Sequence, residues 1–196
     1  MTTPHDVLQY WFGDHATRPL AKQALWFGGG PKIDAEISQR FGAAVAQAGA
    51  GQLEGWKGTP EGRVAWTILL DQFSRNIHRD DGQAFANDHR TVASTLEAIA
   101  AGEDEAIPPV WRWFLYLPLM HAEDVQLQRR SVEMFEVLAA TAEGEVAGAA
   151  THAALFARKH AAIIVRFGRF PHRNELLGRE NTAEELAFLE SEGRGF

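Results

Sequence analysis

The sequence predicts an all-α protein, a compact array of antiparallel helix pairs. Three observations predict it. Apolar residues recur at spacings of three and four, with almost none of the strict alternation that marks strands. Alanine is abundant, and proline and glycine fall at the ends of the periodic segments. With 196 residues, the length prior is a single all-helical domain over 1–196. A chain of this size buries about 70% of its extended surface on folding, enough for a substantial core. The six tryptophans and twelve phenylalanines should supply much of that core.

A first helix should run from about Pro4 to Trp11, with Thr3 as its cap and Pro4 in the first helical position. Val7, Leu8, Trp11 and Phe12 form its buried stripe. A short second helix lies near Leu20 to Phe27 and ends at Gly28-Gly29-Gly30. Trp11-Phe12-Gly13 and Trp26-Phe27-Gly28 echo one another, as aromatic pairs plugging helix ends before a glycine exit. The third helix spans roughly Pro31 to Ala48. After a turn-rich link from Gly49 to Gly58, Thr59 and Pro60 open a helix reaching about Phe73. Asn76 to Gly82 reads as loop, and the next helix as about Gln83 to Ala101. Pro108-Pro109 then opens an aromatic helix that Pro118 should kink or end. Two long helices follow, about Glu123 to Thr141 and about Glu145 to Phe167, and Gly168 breaks the second. Thr182 and Glu185 have capping-box spacing before a last short helix carrying Leu186, Phe188 and Leu189. Helix pairs stacked into a short arc would suit this pattern, although no strict repeat period supports a solenoid.

Composition narrows the function. There is no cysteine, which excludes disulfides, thiolate nucleophiles and sulfur-ligated metal. The start, MTTPHDVLQYWFGD, lacks the basic and apolar regions of a signal peptide, and no apolar stretch approaches the roughly 20 residues that span a bilayer. A cytoplasmic protein is expected. A net charge of -7 argues against nucleic acid and anionic membrane as partners.

Three polar stretches interrupt the helical pattern. Residues 158–179 hold five arginines and one lysine against a single acid, Glu175. Within them, GRFPHRN places Arg169, His172, Arg173 and Asn174 on a connection stiffened by Pro171. Guanidinium forks suit carboxylate or phosphate. They suit internal carboxylates equally well, and would then tie the C-terminal segment to Asp71 and Glu123. The second stretch, LLDQFSRN, ends an apolar helix. Asp71 and Arg75 can pair there at i,i+4, or Asp71 can point inward beside Gln72 and need a cation from elsewhere. In the third, YLPLMHAED, His121 follows the bend at Pro118. It is poised for proton transfer near neutrality, with Glu123 and Asp124 either orienting it or opening the next helix. A metal held by His121, His172 and a carboxylate is conceivable, but no spacing demands it, and no metal or cofactor is expected. His78-Arg79-Asp80 lacks the rest of a kinase signature, and Gly28-Gly29-Gly30-Pro31 lacks the lysine and hydroxyl of a phosphate loop.

YWFG at 10–13, LLDQFSRN at 69–76, AFANDHR at 84–90, FLYLPLMHAED at 114–124, QRRS at 128–131 and RFGRFPHRNELLGRE at 166–180 together resemble a bacterial family known as domain of unknown function 924. The resemblance covers essentially the whole chain; Ser74 stands where many relatives have proline. It implies a tetratricopeptide-like helical arrangement. It implies no reaction, substrate or cofactor.

From the residues themselves, the leading expectation is a polar pocket for a small anionic molecule. Arg75, Arg169, Arg173, Asn174 and Gln72 would bind it. His121 or His172 would act as acid or base, oriented by Asp71 or Glu123, with hydrolysis the simplest chemistry. The alternative is a helical scaffold for a peptide or protein, with an open groove lined by Trp11, Trp26, Trp56 or Trp113. A third reading makes the polar residues a buried network with fully paired arginines and no cavity. Nothing in the sequence fixes the oligomeric state.

Overall fold

Local chemistry sets several of the helix ends among the described residues. The computed structural model describes residues 1–192, with side chains through Ser191, and among these residues there is no strand. The helix α1 (Pro4–Phe12) starts on a reciprocal capping box between Thr3 and Asp6 and stops at Gly13, whose φ of 60° favours glycine. Then come α2 (Gln23–Gly28) and α3 (Pro31–Gly49). Thr59 caps α4 (Pro60–Thr67). Gly62 in its first turn is sterically required, since a Cβ there would lie 2.1 Å from the Trp56 carbonyl oxygen.

The helix does not end at Phe73 as the periodicity suggests. Its path runs through a π-helical stretch, Ile68–Phe73, into α5 (Ser74–Ile77). A single 3₁₀ turn, Gly82–Phe85, occupies the start of the expected next helix, and α6 begins only at Asp88 (Asp88–Ala101). In α7 (Pro109–Met120), Pro118 does not terminate the helix, which continues to Met120. The buried Thr95 hydroxyl donates to the Leu115 carbonyl at 2.7 Å, in the turn that the proline ring loosens. Two long helices, α8 (Val125–Thr141) and α9 (Gly144–Phe167), pack on each other across a two-residue connection, and α8 also packs on α7. The last element is α10 (Ala183–Glu192).

The core forms around α1, the π stretch and α7. Trp11 meets Phe73 and Phe114 edge-on at 5.3 and 5.6 Å, while Phe12 stacks on Trp111 at 5.6 Å. The two aromatic-glycine echoes meet in space, because the Trp26 indole N–H donates to the Trp11 carbonyl at 2.7 Å. Phe27, by contrast, is 60% exposed. A separate small cluster of Ile163, Ile164 and Phe170, with Phe188 against it, seats the C-terminal segment. No helix of the described residues is long and apolar enough to cross a membrane.

Candidate functional site

Asp71 sits in the π stretch. Widening a helix from i−4 to i−5 bonding displaces the side chains that follow, and such turns recur at functional positions. Here Ser74 donates both its backbone N–H and its hydroxyl to the Leu69 carbonyl five residues back. Asp71 is 0% exposed, in a segment whose other buried side chains are apolar. Such a carboxylate survives only with donors around it. Its Oδ1 lies 3.1 Å from Arg75 Nη1 as an ion pair and accepts from His121 Nδ1 at 2.7 Å, and its Oδ2 accepts from Gln72 at 2.5 Å. Burial opposes the charge, but Arg75, His121 and Gln72 outweigh it and hold the carboxyl well below its ordinary range.

His121 caps the C-terminus of α7. It is fixed from both sides by Gln128, a wholly buried residue of α8 whose amide donates to the carbonyls of Met120 and Ala122, each at 2.7 Å. An ionised carboxylate can only accept, so Nδ1 of His121 carries the proton it gives to Asp71. Nε2 then holds a lone pair, and it has no hydrogen-bond partner among the described residues. Burial keeps this imidazole neutral. Asp71 favours its protonation, but Arg75 and Arg173 oppose it, and the net shift is downward. This is a carboxylate–histidine dyad with its basic nitrogen available.

Beside the dyad lies a hollow of about 370 Å³, walled by Arg75, Arg79, His121, His160, His172 and Arg173 and also by the acids Asp80 and Glu175, with Phe85 beneath the Arg75 and Arg173 guanidiniums. Arg75 spends its donors inside the protein, on the Asp71 carboxylate, the Asp71 carbonyl and Asp88. Arg173 does not. It is 6% exposed, its Nη1 reaches Asp88 only at 3.3 Å, and its buried Nε–H has no partner. Its faces are packed, with Phe85 and Phe170 rings 4.5 and 4.6 Å from the guanidinium carbon. Burial and the neighbouring Arg75 pull its pKa down to about 10. Burial, joined by Arg173, also takes His172 to about 4, and its buried Nδ1 is likewise unpartnered. His160 falls to about 4, again chiefly through burial, although its Nδ1 lies 2.9 Å from the Phe156 carbonyl.

Of the residues expected at a site, the structure gathers Asp71, Gln72, Arg75, His121, His172 and Arg173. Glu123, Arg169 and Asn174 are not on the wall of this hollow. Glu123 accepts two bonds from Arg179, at 2.6 and 2.9 Å, and one from the Phe170 N–H at 2.8 Å. Burial disfavours its charge, but Arg179 and the Phe170 N–H hold its pKa down. Asn174 is fully buried between Asn181 and Arg179. Arg169 pairs with Glu185 at 2.7 Å. These three clamp the C-terminal segment, and through it the loop that carries His172 and Arg173.

Comparison with known proteins agrees with the architecture. The family described as bacterial protein of unknown function, DUF924, matches residues 7–193. The chain belongs to this family. A solved structure of ATU0120 from Agrobacterium tumefaciens, itself described as a protein of unknown function, is 34% identical to the chain. The similarity covers 95% of this chain and 96% of that one, with a TM-score of 0.80. No curated protein matches.

In this DUF924 member the sequence reading missed Asp88, Gln128 and His160. Asp88 looks like a first-turn acid of α6 yet accepts from both Arg75 and Arg173. Gln128 lies in a helix otherwise read by its apolar face, and only its complete burial reveals its role. His160 follows the apolar stripe of α9, so helical spacing alone gives it a core position. Although His121 and His172 share the hollow, no three His, Asp or Glu side chains among the described residues are placed to hold a metal ion.

Proposed function

We propose that this DUF924 protein is a cytosolic binder of a small anionic molecule, taken up between Arg75 and Arg173 with His121 as proton acceptor beside it. One observation carries the reading. Arg173 is a buried guanidinium on a cavity wall with a single long contact to protein oxygen. A buried cation so poorly paired is costly, and an anion in the hollow would supply the missing acceptors. A purely structural network would leave neither that donor idle nor a cavity of about 370 Å³ next to it. Trp11 is buried in the core, which removes it from any open aromatic groove for a peptide. The pairing of α7 with α8 and of α8 with α9 supports a tetratricopeptide-like arrangement as part of the proposal.

Hydrolysis is the reaction this inventory suits. His121 Nε2 would accept a proton from water, Asp71 would stabilise the resulting imidazolium, and Arg173 would hold the anionic group.

The test is calorimetric titration of inorganic phosphate and sulfate into the wild type and Arg173→Gln. Charge-assisted hydrogen bonds are worth about 1.5–3 kcal/mol, so the variant should bind on the order of ten- to a hundredfold more weakly. Equal affinity in both proteins would overturn the assignment.

A further inference from the structure

A second hollow, of about 980 Å³, lies beside the first. The two share Arg75, Arg79, His121 and His160 as common wall, so they meet at the dyad. Their chemistry differs. The larger one is bounded by Trp113, Phe27, Leu117, Met120 and Phe156. Opposite the aromatic rings, α9 presents Gly148, Ala149 and Ala153, small residues that leave the space empty. Phe27 leans on Trp113 with ring centroids 5.7 Å apart and is nevertheless 60% exposed, an apolar wall facing water.

We propose that the ligand of the Arg75–Arg173 site is an amphiphilic anion, a single alkyl or aryl chain with a carboxylate or phosphate head, whose apolar part fills the hollow between Trp113 and α9. This rests on the anion reading above and deepens it. The adjacency of the two hollows carries it: past the shared residues Arg75 and His121, an anion bound at Arg173 has the larger, mostly apolar space in which to place a tail. Ligand sites of this volume are usually mostly apolar with a few convergent polar groups, which is the division seen here. A free amphiphile fits better than a membrane surface, because the chain carries a net charge of -7 and would be repelled by an anionic bilayer. His121, on the wall of both hollows, then stands where head and tail join.

The test measures binding of butyl, hexyl and octyl phosphate, with inorganic phosphate and octanol as the isolated head and tail. Gly148→Trp is the informative variant. A Cβ at position 148 meets nothing within 4 Å, and glycine is a poor helix former, so the substitution fills the hollow without threatening α9. Each added methylene should tighten wild-type binding about fourfold. Gly148→Trp should flatten the series and leave inorganic phosphate unchanged, while Phe27→Ala should reduce the chain-length dependence. Arg173→Gln should weaken every anion, inorganic phosphate included. A flat series in the wild type, with inorganic phosphate still sensitive to Arg173, overturns the tail site and leaves the anion site standing. Octanol binding as well as octyl phosphate, with no effect of Arg173→Gln, overturns both. Tighter association with phosphatidic acid vesicles than with octyl phosphate overturns the free ligand in favour of a lipid surface.

Discussion

Replacing Asp71 by Asn tests whether the dyad is the keystone of this region. The change is nearly isosteric and keeps one acceptor, so His121 and Arg75 can still find an oxygen, and Gln72 can turn its amide to present a carbonyl to the new NH₂. What disappears is the charge. Removing one member of a buried ion pair costs about 3–5 kcal/mol, because the other is left uncompensated. Arg75 keeps Asp88 at 2.9 Å, which places the expected loss near the lower end, about 3 kcal/mol. Urea denaturation at neutral pH, followed by tryptophan fluorescence, measures it as a lowered midpoint at unchanged slope. A second reading comes from pH. The folded-state pKa of Asp71 lies below its ordinary value of 3.8, so its contribution is present above that value and fades as the pH falls below it. The gap between wild type and variant should therefore narrow in acid. A loss under about 1 kcal/mol, or a gap that does not depend on pH, would refute the reasoning that an ionised Asp71 holds Arg75 and His121.

Gln128→Leu keeps the volume but leaves the Met120 and Ala122 carbonyls without their donor; at about 1–3 kcal/mol per unsatisfied group, a loss of about 2–6 kcal/mol in the same urea assay is expected, and a neutral substitution would show that the amide does not hold His121. The pH profile of stability should show the histidines. His160 and His172 have folded pKa values depressed to about 4 from 6.5, so the stability they contribute is complete above pH 6.5 and is lost as the pH falls towards 4. Between pH 7 and pH 5 each should account for about 2 kcal/mol, and His172→Gln should flatten that slope by this amount; an unaltered slope would mean that His172 is not held neutral.

Much of the fold was legible because helix boundaries rest on local chemistry. The Thr3 and Thr59 caps, the prolines at positions 4, 31, 60 and 109, and the Gly168 exit each act within one turn, and the starts of α1, α3, α4 and α7 and the end of α9 follow from them. The π stretch at 68–73 was not legible. Its apolar pattern matches an ordinary helix, and the distinction lies in which carbonyl each N–H reaches. Of the two outcomes the sequence allows at Pro118, a kink or an end, the helix does not end, and the packing around it comes from distant sequence, as when the Thr95 hydroxyl donates to the Leu115 carbonyl. At the site, residue type was a good guide and position was not. Arg169 and Arg173 look alike in GRFPHRN, yet one pairs with Glu185 towards the surface and the other turns into the hollow. The sequence offers Asp71 and Glu123 alike as the orienter of His121, and Glu123, only two residues away, pairs with Arg179 instead. Asp71, fifty positions earlier, holds that place because the π turn brings it to the end of α7.

The two irregular helices of this region each deliver one half of the dyad. A widened turn forgoes regular bonding in the middle of a buried helix, and an internal proline does so near the end of another; both lower stability relative to an unbroken apolar pair. The aromatic core of α1 and α7 around them is dense enough to tolerate the loss. A network serving stability alone would not need both departures to converge on one side-chain contact, since apolar residues at those positions would pack at least as well. What they achieve together is a 2.7 Å carboxylate–imidazole bond that fixes which nitrogen is basic and turns it away from the carboxylate. That contact sets the dyad beside the hollow, whose wall His121 shares with Arg75 and Arg173.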